Sequence, residues 1–139
     1  MPVPFLACML ATANFYGLPP RVLPAIQAVE GGRPGLVHAN TDGSADLGLM
    51  QINTQWVALV AEAAGLAPVD ARGRLTGDPC FSIAAAGAIL RAYLREARGD
   101  LMLAIGDYHS HTPPLNASYQ TLVRNRAASM FAIGATAAR

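Results

Sequence analysis

The chain contains no lysine; all ten of its basic residues are arginine, and against nine acidic ones they leave a net charge of +1. A chain so balanced offers no electrostatic case for a nucleic-acid partner, which needs a basic face to displace counterions. The arginine-only set reads as the coding bias of a GC-rich genome rather than as an acid-binding surface. Charge of either sign is scarce, at 14% of 139 residues, and Glu30, Glu62 and Glu96 are the only glutamates. No apolar run reaches the roughly 20 residues that a membrane helix needs. The longest, Ile83 to Leu90, ends at Arg91. The apolar segment Met1 to Ala13 lacks both a basic start and a cleavage site, so it does not read as a signal peptide. The two cysteines, Cys8 and Cys80, do not make a metal site by themselves. They are compatible with one disulfide or with two inert core thiols, and the residues alone do not decide.

What the chain has in quantity is apolar surface. Hydrophobic residues make up 53% of it, and its length suits one domain, residues 1–139, with one core. The pattern predicts a mainly helical fold. A first helix over Val3 to Phe15 stops at Gly17, and Pro19 and Pro20 open a second that runs to about Glu30, where Gly31, Gly32 and Pro34 end it. Leu36 to Asn40 and Ala45 to Leu49 flank Thr41-Asp42-Gly43-Ser44, the mark of a small two-stranded hairpin. Thr54 is placed to cap a helix over Gln55 to Ala64. Pro68 to Gly77 reads as a loop or a short turn of helix. Asp78 and Pro79 start the strongest helix, which runs to Ala97, is apolar nearly all round as far as Leu90 and is therefore central. Arg91, Arg95 and Arg98 line its solvated face. A shorter helix covers Asp100 to Tyr108, Pro113 and Pro114 interrupt the chain, and a last helix runs from Asn116 to about Ile133.

Of the three glutamates, Glu62 and Glu96 fall on helical stretches with no nearby glycine turn or polar cluster. Glu30 continues the apolar stripe of Leu23 and Ile26, which partly desolvates its carboxyl group. Desolvation disfavours the charged form and raises the pKa, as a general acid working near neutrality requires. A glutamate at a helix end can equally point to water, and helix position does not choose. After the hairpin comes Asp46-Leu47-Gly48-Leu49-Met50-Gln51-Ile52-Asn53. Gly48 permits close backbone approach, and the amides of Gln51 and Asn53 suit N-acetylated sugars because both partners donate and accept.

A glutamate ending a helix, followed within a few tens of residues by Gly-Leu-Met-Gln, resembles the soluble lytic transglycosylase domain, which is related to goose-type lysozymes. Ala104-Ile105-Gly106-Asp107-Tyr108-His109-Ser110 is similar to that family's Ala-x-x-x-Tyr-Asn-x-Gly element, and Tyr119 and Val123 to its late tyrosine-containing helix. Asp78-Pro79-Cys80 and Cys8 resemble the secretion- and conjugation-associated branch, in which this pair forms a disulfide. The resemblance implies a lysozyme-like helical domain with its small hairpin beside the active-site cleft. It implies Glu30 as the single catalytic acid and base. Gly48, Leu49, Met50, Gln51, Asn53, Tyr108, His109, Ser110 and Tyr119 would then form the substrate-binding surface. It also implies a Cys8–Cys80 disulfide, no metal and no cofactor. The expected partners are peptidoglycan glycan strands and components of a secretion or conjugation apparatus. The expected setting is a monomer in the periplasm, exported by a signal not present in this chain. Two departures stand out: Gly31 where the family usually has the serine that steadies the carboxylate, and His109 where it has asparagine. Which group orients Glu30 is therefore open.

The implied reaction cuts the β-1,4 bond between N-acetylmuramic acid and N-acetylglucosamine and closes a 1,6-anhydro ring. Two rivals accompany it. One is a lysozyme-type hydrolase, in which Asp42 or Asp46 pairs with Glu30 to activate water. The other is an inactive peptidoglycan-binding module of a secretion apparatus. His109 and His111 do not read as a metal pair, because no cysteine or acidic pair stands at ligand spacing beside them. Asp42 and Asp46 do not complete a calcium loop, and turn formation explains Asp42 better.

Overall fold

The computed structural model describes residues 3–137, with side chains as far as Phe131. Its helices are α1 (Leu6–Tyr16), α2 (Val22–Glu30), α3 (Val57–Ala64), α4 (Pro68–Gly77), α5 (Pro79–Glu96), α6 (Leu101–His109) and α7 (Pro113–Ala137). Between α2 and α3 lie β1 (Val37–Ala39), β2 (Ala45–Leu47) and β3 (Ile52–Asn53), followed by a 3-10 turn at Thr54–Trp56. The fold is mainly α with one small antiparallel sheet in the order β1-β2-β3.

The central helix is α5, as its apolar circumference predicts. It packs against α1, α4 and α6, while α7 lies across α2 and α6. Ile83, Ala86 and Leu90 of α5 are fully buried together with Met9 of α1 and Leu23 and Ile26 of α2. Each of the isoleucine, leucine and methionine side chains contributes about 1.5–3 kcal/mol on burial. The start of α5 also follows expectation: the Asp78 carboxylate accepts from the Phe81 N–H at 3.1 Å, and Pro79 fills the first turn.

Four local expectations are corrected. The ribbon has three strands, because Ile52 and Asn53 fold back to pair with Leu47 and Asp46. A two-residue strand carries no alternation to read, and only the turn after β2 creates it. Asn53 caps the following turn, its side chain accepting from the Gln55 N–H at 2.9 Å; Thr54 instead accepts from the Ala45 N–H at 3.2 Å and pins that turn to the sheet. The stretch Pro68–Gly77 is a full helix of ten residues. Its propensity is poor, but Ala71 and Leu75, four apart, are both fully buried, and packing of that stripe overrides propensity. Finally, Pro113 begins α7 rather than breaking the chain, since proline suits a first helical turn.

Cys8 and Cys80 are joined, with Cα atoms 5.5 Å apart, and the bond ties α1 to the first turn of α5 across 72 residues of sequence. Closing a loop of that length is worth about 4 kcal/mol in the chain-entropy model. The double variant Cys8→Ala/Cys80→Ala is therefore expected to lose stability of that order in urea unfolding. A variant that unfolds at the wild-type midpoint would show that the bond does not constrain the unfolded chain.

Candidate active site

Three segments build the site. The first is the end of α2. Leu23 and Ile26 are buried, and Glu30, the last helical residue, continues their stripe into a cleft. The helix stops there because Gly31 adopts a left-handed φ of 67°, and its N–H returns to the Gln27 carbonyl at 2.9 Å. Gln27 also donates from Nε2 to the Gly32 carbonyl at 2.9 Å, which fixes the chain just beyond Glu30.

The second segment is the turn between β2 and β3. Gly48 has a φ of 67° and lies so close to α4 that a Cβ would run into the Leu75 carbonyl. Leu49 and Met50 enter the core, at 2% and 0% exposure. The Met50 N–H donates to Ser82 Oγ of α5 at 3.2 Å, and the Tyr108 hydroxyl of α6 donates to the Met50 carbonyl at 2.8 Å. The turn is thus clamped from two helices. Gln51, at its far side, is left-handed with a φ of 52°, a conformation that costs a non-glycine residue about 1–3 kcal/mol and is found where function requires it. Its Nε2 donates to the Gly48 carbonyl at 2.9 Å.

The third segment is the end of α6 together with the first turns of α7, which supply His109 and Tyr119. The three meet at a cavity of about 250 Å³. Glu30, Tyr108 and His109 form one wall; Asn40, Asp42, Ser44 and Asp46 of the hairpin form another; Gln51, Ile52, Asn53, Gln55, Trp56 and Ile89 close it. A second cavity of about 250 Å³ shares Glu30 and His109 with the first and is lined further by Val29, Leu115, Ser118, Tyr119 and Leu122. One is mostly polar, the other more apolar, and the Glu30 carboxyl stands at their junction.

Five of the residues expected at the site, Glu30, Gln51, Asn53, Tyr108 and His109, line the first cavity, and Tyr119 lines the second. Gly48, Leu49, Met50 and Ser110 line neither. The first three are consumed in building the turn. Ser110 ends α6, where its Oγ accepts from the Thr112 N–H at 3.0 Å. Sequence reasoning missed Asn40, Ser44, Gln55, Trp56 and Ile89. The sole tryptophan beside Gln-Ile-Asn was the available signal for Trp56. For Asn40 and Ser44 it was the turn chemistry around Asp42, whose carboxylate accepts from the Ser44 N–H and Oγ at 2.9 and 2.6 Å.

The electrostatics centre on Glu30. Burial raises its pKa above the ordinary value, and the nearby charge of Asp46 pushes the same way. The Tyr119 hydroxyl, which donates to Glu30 Oε2 at 2.6 Å, and His109 oppose the shift without cancelling it. Tyr119 is itself buried, at 3% exposure, and burial together with the Glu30 charge holds its phenol far above the usual range, so it remains a donor. Its ring stacks on His109, with centroids 5.0 Å apart and 12° between planes. A carboxyl group that favours its proton, held by one permanent donor at the junction of two cavities, is equipped to give a proton and take it back.

Residues 7–121 match the Transglycosylase SLT domain. The chain belongs to this family. It is also 32% identical over 108 residues to the "Invasion protein IagB" of Salmonella typhimurium, strains SL1344 and LT2, and of Salmonella typhi. That similarity covers 77% of this chain and 64% of each relative, so the chain spans less than two thirds of their length. Glu30, the Gly48–Asn53 element, Tyr108 and Tyr119 all fall inside the span of the SLT match.

Within this SLT domain the departures have a geometric account. Gly31 stands where serine was expected because its left-handed φ ends α2, and nothing lies within 4 Å of where its side chain would be. The hydrogen bond to Glu30 comes from Tyr119 instead. His111 does not accompany His109. Its Nε2 lies 2.6 Å from Glu96 Oε1 and 3.8 Å from Asp107 Oδ2, outside both cavities. The sequence had left Glu96 without polar neighbours, because the fold alone brings residues fifteen apart together.

A carboxyl group whose folded pKa is raised holds its proton more tightly in the folded state than in the unfolded one. Its effect on stability is therefore absent at low pH, and stability is lost as pH rises above the ordinary value of 4.5 and through the folded pKa. Glu30→Gln removes that loss and keeps an acceptor for Tyr119. The variant is expected to melt higher than wild type at pH 8 and to converge with it near pH 4. An equal offset at both pH values would mean that Glu30 is not shifted.

Proposed function

We propose that this protein is a peptidoglycan lytic transglycosylase that cuts the β-1,4 bond between N-acetylmuramic acid and N-acetylglucosamine. One observation carries it: a single proton-favouring carboxyl, Glu30, donated to by Tyr119 and standing between two cavities. A glycan cut within its length needs room on both sides of the acid. The polar cavity offers the amides of Gln51, Asn53, Asn40 and Gln55 to N-acetyl and hydroxyl groups, with Trp56 to cover a sugar face.

In the proposed reaction the Glu30 O–H bond breaks and its proton passes to the glycosidic oxygen as the C1–O bond breaks. The muramoyl C6 hydroxyl then attacks C1, forming the C1–O6 bond, and its proton returns to Glu30. No water is consumed, and the enzyme ends as it began. Tyr119, always a donor, steadies Glu30 while it is charged between the two transfers. Gln51 is set toward the cavity by the strained turn, so part of the folding energy is spent on placing an amide.

Such a substrate puts the site of action outside the cytoplasm, and we assign it to the periplasm. No described helix is long and apolar enough to cross a membrane. The relatives are named as invasion proteins, and local opening of the wall for a secretion or conjugation apparatus is the role we propose here.

Digestion of purified sacculi with mass spectrometry of the products tests this reading. Wild type is expected to yield 1,6-anhydromuramoyl ends. Glu30→Gln should lose about two to four powers of ten in rate, the usual worth of general acid–base catalysis, while still binding glycan. Glu62→Gln should digest at the wild-type rate. Reducing ends as the sole product, or a fully active Glu30→Gln, would contradict the proposal.

A further inference from the structure

The sequence shows no metal-ligating residues at ligand spacing, but the fold assembles a set of them outside both cavities. Glu96 ends α5, Asp107 stands in the last turn of α6, and His111 follows before α7 begins. One ligand atom from each of the three lies within 4.8 Å of the other two. His111 Nε2 is 2.6 Å from Glu96 Oε1 and 3.8 Å from Asp107 Oδ2. Asp107 makes this more than a surface ion pair. It is buried, at 7% exposure, and its Oδ1 accepts from Asn116 Nδ2 at 2.9 Å. Its Oδ2 accepts no hydrogen bond among the described residues and faces His111. Burial raises the Asp107 pKa and the charge of Glu96 adds to the rise, while His111 opposes it. Among the described residues no arginine pairs with either carboxylate. Two acidic groups are thus held together with one imidazole and no permanent cation.

We propose that Glu96, Asp107 and His111 bind one divalent transition-metal ion, of which Zn²⁺ fits the donors best. One imidazole nitrogen and two carboxylate oxygens are ligands that zinc takes, and water from the open side completes a tetrahedron. Zinc bonds of about 2.0–2.2 Å set such atoms about 3.3–3.5 Å apart, so the shortest pair opens and the longer ones close. His111 and Glu96, with side chains 55% and 56% exposed, are free to make that adjustment. Asp107 is the fixed ligand, because Asn116 occupies one oxygen and leaves the other for the ion. Magnesium and calcium, which take about six or more oxygen ligands, fit this set poorly. The site is independent of the reading of Glu30 and has no part in cutting the glycan. Its work is structural: it joins the ends of α5 and α6 at the corner where Asn116 starts α7. The His111 ring also meets Tyr93 edge-on, with centroids 5.2 Å apart, and Tyr93 meets Trp56 in the same way at 5.7 Å. Trp56 lines the polar cavity, so the ion braces the support of that wall.

The test uses the full chain without an affinity tag, stripped with a chelator and titrated with zinc chloride by calorimetry and thermal melting. Wild type is expected to bind one zinc ion per chain. Its Tm should rise by about 5–10 °C at a zinc concentration about 100 times Kd, because the ion binds only the folded chain. Glu96→Gln and His111→Gln alter exposed side chains, so both should fold as wild type does. Each should bind zinc about 100-fold more weakly or worse, since even the loss of a group behind a metal ligand costs about 10- to 100-fold. His38→Gln and His109→Gln, which change the other two histidines, should bind it as wild type does. Cobalt chloride provides a spectroscopic check: its visible absorption should intensify on binding to wild type and not to His111→Gln. Wild type that shows no saturable binding at about millimolar zinc overturns the proposal. So does His111→Gln that binds zinc as tightly as wild type, and the three residues would then form a hydrogen-bonded cluster only.

Discussion

The hydrogen bond from the Tyr119 hydroxyl to Glu30 Oε2, 2.6 Å long, joins residues 89 apart in sequence. It can form only if α7 crosses α2 at the right height, and much of the C-terminal half serves that placement. Asn116, buried at the start of α7, donates to Asp107 Oδ1 at 2.9 Å and to the Ser110 carbonyl at 3.2 Å, tying α7 to the end of α6. Gly106 leaves the space that Asn116 occupies. Tyr119 is then carried one turn further along α7, over the Glu30 carboxyl, with His109 stacked on its ring. The contact that holds the Glu30 carboxyl is therefore made by the tertiary packing of α2, α6 and α7, not by any local motif.

The opposite wall is rigid for a different reason. The turn from Gly48 to Gln51 is held at its backbone, by Ser82 on one side of Met50 and by Tyr108 on the other, while Leu49 and Met50 anchor it in the core. The bond to Ser82 is buried and that to Tyr108 partly so, and losing the Ser82 hydroxyl would leave a desolvated Met50 N–H at a cost of about 1–3 kcal/mol. A turn fixed so firmly can keep Gln51 in a conformation it would not choose. The site thus draws on the stability of the core to maintain one strained residue and one desolvated acid.

Much of this could be read in the sequence, though unevenly. The helix start governed by local chemistry at Asp78 and the hairpin at Asp42-Gly43 were legible because capping and turn preferences act over a few residues. The helix at Pro68–Gly77 and the strand at Ile52–Asn53 were not, because each exists only through partners distant in the chain. At the site, Glu30 was marked by its stripe and the Gly48–Asn53 element by its amides and glycine. The motif did not distinguish residues that line the cavity from those that build the turn: Leu49 and Met50 belong to the core, and Ser110 to a helix end. Nor could it supply the partner of Glu30, since Tyr119 reaches it only once α7 has packed. Asp42 and Asp46 both line the cavity, with Asp42 engaged by Ser44 in the turn and Asp46 by Asn53 across the sheet.

The central claim is that burial raises the Glu30 pKa above its ordinary value and that the cleft charge of Asp46 pushes the same way. An NMR titration of side-chain-labelled glutamates, assigned through Glu30→Gln, measures it directly. The account predicts that the Glu30 carboxyl titrates clearly above the ordinary glutamate value of about 4.3 and that its midpoint falls in Asp46→Asn. A Glu30 midpoint at or below that ordinary value would contradict it.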